Sequence, residues 1–471
     1  MTTSDTTDVR VVDPDRRVSG DAAGVPGADG DAGGGAGAGA AAPRTGSRWW
    51  PADRSERRWI VGILVVAAVL RIAWLAFNHV EPPVVVDSGD QFEYWYHGNE
   101  IADGNGYVDY RNGEATAYYP VGYPAILAGL FWTADVLPIG EPDLMLVAGG
   151  FHIVMSVGAV ALTYVIGRRL AGPRMGLVAA GIMAVFPNVV YQVTSLQLET
   201  TFIFLTLAAL AILVTHDWST GPPGVRRLLA FAAVLTVSVY VRPFSVFLLL
   251  ALFLAVLGVG AGWRRALAAA AVPTLVLVVA ITPWTIRNAV RLDAFVWSST
   301  NMGDTLCIDR NADATGAFRF SEHDGCVDHE LPEARRNQGN TRKAFEWVLD
   351  NPERELLQIA RRASWMFRES NDGIEAVETM GSGEIFSDGE RTFYTRAADW
   401  YFFVVLAAAV AGMWPLVRRS SRPEVWLVLV PMFALLVIPL LLWGNPRFHM
   451  PLVPFMALSA AALATAVRPE Q

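Results

Sequence analysis

Apolar and polar stretches alternate along this chain on the scale of a lipid bilayer. Runs of roughly 20 apolar residues, the length a helix needs to cross the hydrocarbon core, fall at 59–79, 144–166, 175–191, 200–215, 228–242, 243–261, 266–286, 398–416, 424–443 and 448–467. The pattern predicts ten spans. Two long polar stretches interrupt them, 80–143 and 287–397, and a third opens the chain at 1–50. That opening stretch, with its run GADGDAGGGAGAGAAAP, has too few apolar side chains for a core and is expected to be a disordered tail. The predicted organisation is therefore a tail (1–50), a first membrane module with its loop 80–143 (51–286), a loop domain (287–397) and closing membrane helices (398–471).

The first long loop carries a short amphipathic helix. Asp87, Ser88 and Gly89 have the character of a turn or N-cap, and a helix is predicted from Asp90 to about Asp103, stopping at Gly104. Helical spacing puts Asp90, Tyr94, His97 and Ile101 on one face, with Asp87 one turn before Asp90. Further on, YYPVGYPAILAGLFWTADV is apolar enough to compete as a span. Basic residues decide the matter: Arg54, Arg57, Arg58, Arg168, Arg169, Arg174, Arg226, Arg227, Arg264, Arg265, Arg418, Arg419, Arg422 and Arg468 all fall on alternate connections. An extra span at 119–136 would put them on alternating sides, so this stretch is predicted to lie along the outer interface. Both termini are then cytoplasmic, and 80–143, 192–199, 287–397 and 444–447 are outside. No cleavable signal precedes the first span, which is expected to be its own export anchor.

Composition agrees with a polytopic membrane protein. Of 471 residues 53% are hydrophobic and the mean hydropathy is +0.34. The formal net charge of −8 argues against nucleic acid as a partner. The only two cysteines, Cys307 and Cys326, both lie in the long second loop. An oxidising compartment favours a disulfide between them, the other reading being two free buried thiols. That loop also holds a polar turn region, IDRNADATGAF, an amphipathic helix near 339–351 and a second from about Pro352 to Arg368. The Gly- and acid-rich NDGIEAVETMGSGEIFSDGE is expected to be a mobile flap.

Candidate chemistry lies where the spans meet the outer surface. Asp87 and Asp90 point into nearly one volume, and like charges so close call for a cation, a proton or a cationic substrate group between them. The plain alternative is a capped surface helix with solvated acids. Glu199 at the mouth of the fourth span either caps that helix or faces the pair as a third acid. Arg242, Arg287 and Arg447 sit just outside the bilayer, where a guanidinium fork suits a lipid phosphate, or simply anchors in headgroups. Arg71 is too deep in the first span for a flanking charge, so it either meets a polar partner or cavity or snorkels outward. Tyr94, His97, Tyr119 and Tyr123 are candidates for substrate contact. As metal ligands, His97 and His449 are disfavoured, because no second His lies at ligand spacing. Asp87 and Asp90 are the hard oxygen donors that a divalent ion would use.

Asp90 followed by Tyr94, IADGNGY and AYYPVGYPAILAGL resembles the first periplasmic loop of the GT-C membrane glycosyltransferases. PNVVYQVTSLQLETTFIFL, YVRPFSVFLLL, PWTIRNAVRLDAFVWSSTNMGDTLCIDRNADATGAF and NPRFHMPLVPFMALSAA continue the likeness in the family's order, over about 59–467. The branch it resembles contains the dolichyl-phosphate-mannose protein mannosyltransferases and the aminoarabinose transferases. The resemblance implies an all-α GT-C-like bundle of about ten transmembrane helices, interfacial helices in the first outer loop, and a small extracytoplasmic domain, α/β or irregular. It implies sugar transfer from a polyprenyl-phosphate donor to an extracytoplasmic hydroxyl on protein, lipid or glycan, with inversion. In that scheme Asp90 is the catalytic base, Asp87 and Glu199 assist, and Arg242, Arg287, Arg447 and Arg71 hold the donor phosphate. Many relatives carry an acid directly after the aspartate; this chain has Gln91 there, and Asp87 three residues earlier. A lysine that the aminoarabinose branch carries before its proline pair is absent at Tyr119, Pro120 and Val121. A transporter or lipid flippase is the rival class, but such proteins place ionisable groups near the midplane and show repeated halves.

Overall fold

The computed structural model describes residue 51 and residues 53–78, 81–83, 89–137, 143–318, 331–378 and 385–466. Asp87, Cys326 and the tail at 1–50 lie outside the described residues.

Every regular element among them is helical. Asp53 caps α1 (Arg54–Phe77) by accepting from the Glu56 N–H at 2.7 Å. The first loop supplies α2 (Asp90–Ala102), which begins and ends where its sequence predicts, and α3 (Gly122–Val136). The long α4 (Leu144–Ala184) joins two predicted spans across a break at Ala171 and Gly172, the latter at φ 83°, just before Pro173. α5 (Pro187–Tyr191) and α6 (Glu199–Val214) form a pair bent by 118°. α7 (Val225–Val241), α8 (Phe247–Gly258) and α9 (Trp263–Leu292) complete the first module. The long loop folds into α10 (Met302–Cys307), α11 (Glu333–Asp350), α12 (Pro352–Met366) and α13 (Asp372–Glu378). α14 (Asp388–Val417), α15 (Pro423–Leu440) and α16 (Val453–Ala466) close the bundle.

Among the described residues six stretches are long and apolar enough to cross a membrane, or seven if α5 and α6 count as one. The ten predicted spans count differently: the chain folds back at the break in α4, where a Cβ on Gly176 would fall 2.6 Å from the Tyr164 carbonyl oxygen, so α4 is two helices, and the prediction also includes α7 and α8, with 17 and 12 residues. The chain is a multi-pass membrane protein. α1 illustrates the solvent it is built for: Ile60, Ala67 and Trp74 are buried while Val65, Val69, Ile72 and Phe77 are exposed, an apolar face suited to lipid rather than water. α16 runs through the middle, packed on α4 and α14, and is apolar almost all round.

Three features position the site. α3 packs along α2 and buries Tyr123, Leu127 and Phe131, with Trp132 and Val136 left exposed. At its start a Cβ on Gly122 would lie 2.3 Å from the Tyr240 carbonyl carbon, so the first loop is pressed against the end of α7, directly before Arg242. The loop 287–397 is helical where described, not α/β: α11 and α12 have helical-period apolar stripes, and Pro352 starts α12 at a position where its missing N–H costs nothing. The bridges Val108–Ala115 and Ala317–Gly444 are isolated pairs. Arg362 and Arg310 pin this loop to the end of α15, donating to the carbonyls of Leu440 at 3.0 Å and Leu441 at 2.7 Å and pairing with Asp309 and Glu355. Cys307 is disulfide-bonded. The expected flap is corrected over its first half: Asp372, Gly373, Ile374, Ala376 and Val377 are buried in α13, wedged against α5, because the apolar residues among its acids have a core to enter.

Candidate active site

A cavity of about 830 Å³ opens where the first loop, the ends of α7 and α15 and the long loop meet. Asp90, Tyr94, Tyr119, Arg242 and Arg447 line it, with Phe244, Leu442, Trp443 and Phe448 as an apolar wall and Ser298, Ser299, Asn301 and Asn337 as a neutral polar one.

Asp90 is the first residue of α2, after Gly89 at φ 60°. Its Oδ1 accepts from the Tyr119 hydroxyl at 2.7 Å and its Oδ2 from Arg447 Nη1 at 2.5 Å. Arg447 also donates through Nε to Glu199 Oε1 at 2.7 Å. One guanidinium thus joins two carboxylates from separate helices. Glu199 is fully buried, and Arg242 stands 3.4 Å from the same Oε1, between the Phe202 and Phe448 rings. Two acids and two guanidiniums balance here, so an incoming phosphate meets no net negative field from these four. Burial pushes the Tyr94 and Tyr119 phenols well above their ordinary range, a shift reinforced by Asp90. Tyr119 therefore stays a donor to Asp90.

Four predicted residues are placed elsewhere. Arg71 donates to Ser156 Oγ at 2.7 Å and to the carbonyls of Ala67, Ala184 and Met183 at 3.0, 2.9 and 3.3 Å. It serves the open carbonyls at the end of α4 rather than a ligand, the cheapest use of a buried arginine beside a helix terminus. Arg287 holds the first loop through the Tyr107 and Thr116 carbonyls, both at 2.6 Å, and stacks on Trp284. His97 packs on Tyr107 at 4.2 Å beside Glu93 and is absent from the cavity wall. Tyr123 is buried behind Tyr94, its hydroxyl paired with His152 Nε2 at 2.9 Å. His449 donates through Nδ1 to the Met366 carbonyl at 2.8 Å, an interface histidine.

Among the described residues no three of His, Cys, Asp and Glu cluster as a metal site would require, and both Asp90 oxygens are already engaged by donors. Asp87, the other ligand expected from the sequence, lies outside the described residues.

Sequence reading misses two residues close behind the site. Asp372 of α13 accepts from Gln192 Nε2, and burial pushes its carboxyl up to about 7, with Arg447 opposing and Glu199 adding to the shift. Gln192 also donates to Gln197 Oε1 at 3.0 Å. The one available signal is a carboxylate followed by the apolar pattern of GIEAV.

No curated protein sequence matches the chain. A family model described as dolichyl-phosphate-mannose-protein mannosyltransferase matches residues 143–286. Among solved structures the chain is similar to the oligosaccharyltransferase AglB from Archaeoglobus fulgidus in complex with an inhibitory peptide and a dolichol-phosphate, at 15% identity and a TM-score of 0.51, covering 88% of this chain and 51% of that one. The apo form of the Archaeoglobus fulgidus oligosaccharyltransferase gives 16% identity and a TM-score of 0.50, with the same coverages of 88% and 51%. The chain spans about half the length of these structures. With 143–286 similar to the mannosyltransferase family and the helices arranged as in the archaeal enzyme, the protein has a fold of the GT-C type, as its sequence resemblance implies.

Proposed function

We propose that the protein is an integral membrane glycosyltransferase that moves a sugar from a polyprenyl-phosphate donor to an acceptor hydroxyl outside the cytoplasm, with inversion at the anomeric carbon. The observation that carries this reading is the single cavity in which Asp90, Arg242 and Arg447 meet beside an apolar wall. A carboxylate for the acceptor proton, two guanidiniums for the leaving phosphate and a greasy flank for a lipid tail are the parts such a reaction needs. The dolichol-phosphate in complex with the archaeal oligosaccharyltransferase of like fold supports a lipid phosphate as the class of ligand. The alternate placing of basic residues supports cytoplasmic termini and an outward cavity.

In this scheme the donor phosphate engages Arg242 and Arg447, drawing Arg447 from Asp90. Asp90 then takes the acceptor hydroxyl's proton as that oxygen bonds to the anomeric carbon from the face opposite the phosphate. The bond from carbon to phosphate oxygen breaks, and the lipid phosphate leaves with its charge held by the two arginines. Tyr119 keeps Asp90 oriented throughout.

The test is incubation of purified protein with radiolabelled polyprenyl-phosphate sugars and cell-envelope acceptors, beside its D90N variant. Label in the acceptor with wild type alone supports the transferase. Movement of lipid between leaflets without transfer supports a flippase instead.

A further inference from the structure

Asp90 and Glu199 stand on different helices, and one side chain spans the distance between their supports. Gln91, next to Asp90, is buried. Its Oε1 accepts from the Leu196 N–H at 3.0 Å and its Nε2 donates to the Ala376 carbonyl at 2.7 Å. Leu196 lies just before α6, which begins at Glu199, and Ala376 belongs to α13. A single carboxamide therefore ties the start of α2 to the approach to α6 and to the long loop. α13 grips the same approach twice more, through the Gly373 N–H to Asn188 Oδ1 at 2.7 Å and through Asp372 to Gln192. The fit is tight: a Cβ on Gly373 would fall 2.7 Å from Tyr191 Cβ.

We propose that Gln91 is a positioning residue for Asp90. By clasping α2 to the Leu196 backbone and to α13, it sets the spacing of Asp90 from Glu199, and with it the hydrogen bond that Arg447 gives to Asp90. The task needs one donor and one acceptor on the same short stem, which an amide supplies and neither a carboxylate nor a hydrocarbon does. A carboxylate keeps the Leu196 bond but sets oxygen against the Ala376 carbonyl oxygen. A thioether of the same length loses both bonds and keeps the volume. Arg447 and Tyr119 both donate to Asp90, so a small displacement of Asp90 alters its hydrogen bonds as well as its reach.

The inference rests on the transferase reading, and its test separates the two. Full-length wild type, Q91M and Q91E are compared in the transfer assay, each checked for folding by thermal unfolding. For Q91M, kcat is expected to fall roughly tenfold to a hundredfold, as small misplacements of a catalytic group do, with donor KM changed by less than about threefold. Q91E is expected to fall between Q91M and wild type, and carries the test if Q91M does not fold. A kcat within about twofold of wild type overturns the proposal, and so does a fall in kcat accompanied by a donor KM raised about tenfold or more. Failure of both variants to accumulate as folded protein overturns it too, since the residue then serves folding alone. Absence of transfer by wild type instead overturns the transferase reading.

Discussion

Arg447 Nη1 donates to Asp90 Oδ2 at 2.5 Å, joining residues 357 positions apart in the chain. The bond makes the first loop and the segment after α15 one functional unit. It also places a fixed cation against the carboxylate proposed as the base, so the state without substrate is a guarded one.

Conversion of Asp90 to Asn is expected to lower transfer by about two to four orders of magnitude, the usual contribution of a general base. The fold should survive, because Tyr119 can still donate to the amide oxygen. The check is the transfer rate beside an unchanged elution profile in detergent.

Removal of Arg447 exposes the cost of Glu199. In R447A that buried carboxylate keeps only Arg242, at 3.4 Å, and a loss of about 3–5 kcal/mol is expected, as for other broken buried pairs. Adding E199Q should return much of the stability while leaving binding of the lipid phosphate weak. Unfolding midpoints and donor binding, measured on the single and double variants, check this.

Arg71 predicts the opposite pairing of effects. R71L strips partners from the Ala184 and Met183 carbonyls at the end of α4, each worth about 1–3 kcal/mol when left unmet in a buried place. Its unfolding midpoint should drop while donor affinity stays at the wild-type value. A weakened affinity in folded R71L would return Arg71 to the phosphate site.

Asp372 gives a pH dependence. Its folded pKa of about 7 lies above the ordinary carboxyl value of 3.8, chiefly through burial. The folded state thus holds a proton that the unfolded state releases, and stability falls as pH rises between those values. D372N keeps an acceptor for Gln192 and is expected to flatten this fall, so that it is more stable than wild type above neutrality. Unfolding midpoints from pH 5 to pH 8 check the sign.

Much of this arrangement is legible in the sequence, because basic and acidic residues at the ends of long apolar runs have few places to go. The positions of Asp90, Glu199, Arg242 and Arg447 at helix ends follow from hydropathy, and the structure brings all four together. Arg287 looks identical to Arg447 by that criterion, and Arg71 stands out for its depth in the first span, yet each serves backbone carbonyls. Only the fold can tell a helix end from a ligand. Gln91 and Asp372 are illegible for a different reason: their partners, Ala376 and Gln192, are 285 and 180 residues away. For Asp372 only the apolar residues of GIEAV hint that so short and acidic a segment will be buried.

The grip of Arg310 and Arg362 on the last carbonyls of α15 ends only a few residues before Arg447, and the Gly444 N–H adds a bond to the Gly316 carbonyl at 2.7 Å. Roof and clamp are therefore bolted to the same beam. Lifting the loop far enough to flood the chamber would carry Arg447 off its seat, so a wide-open chamber is also a disarmed one. In the proposed transferase such a linkage would keep water from the donor sugar, and it would leave entry of the acceptor to a side door rather than a raised lid.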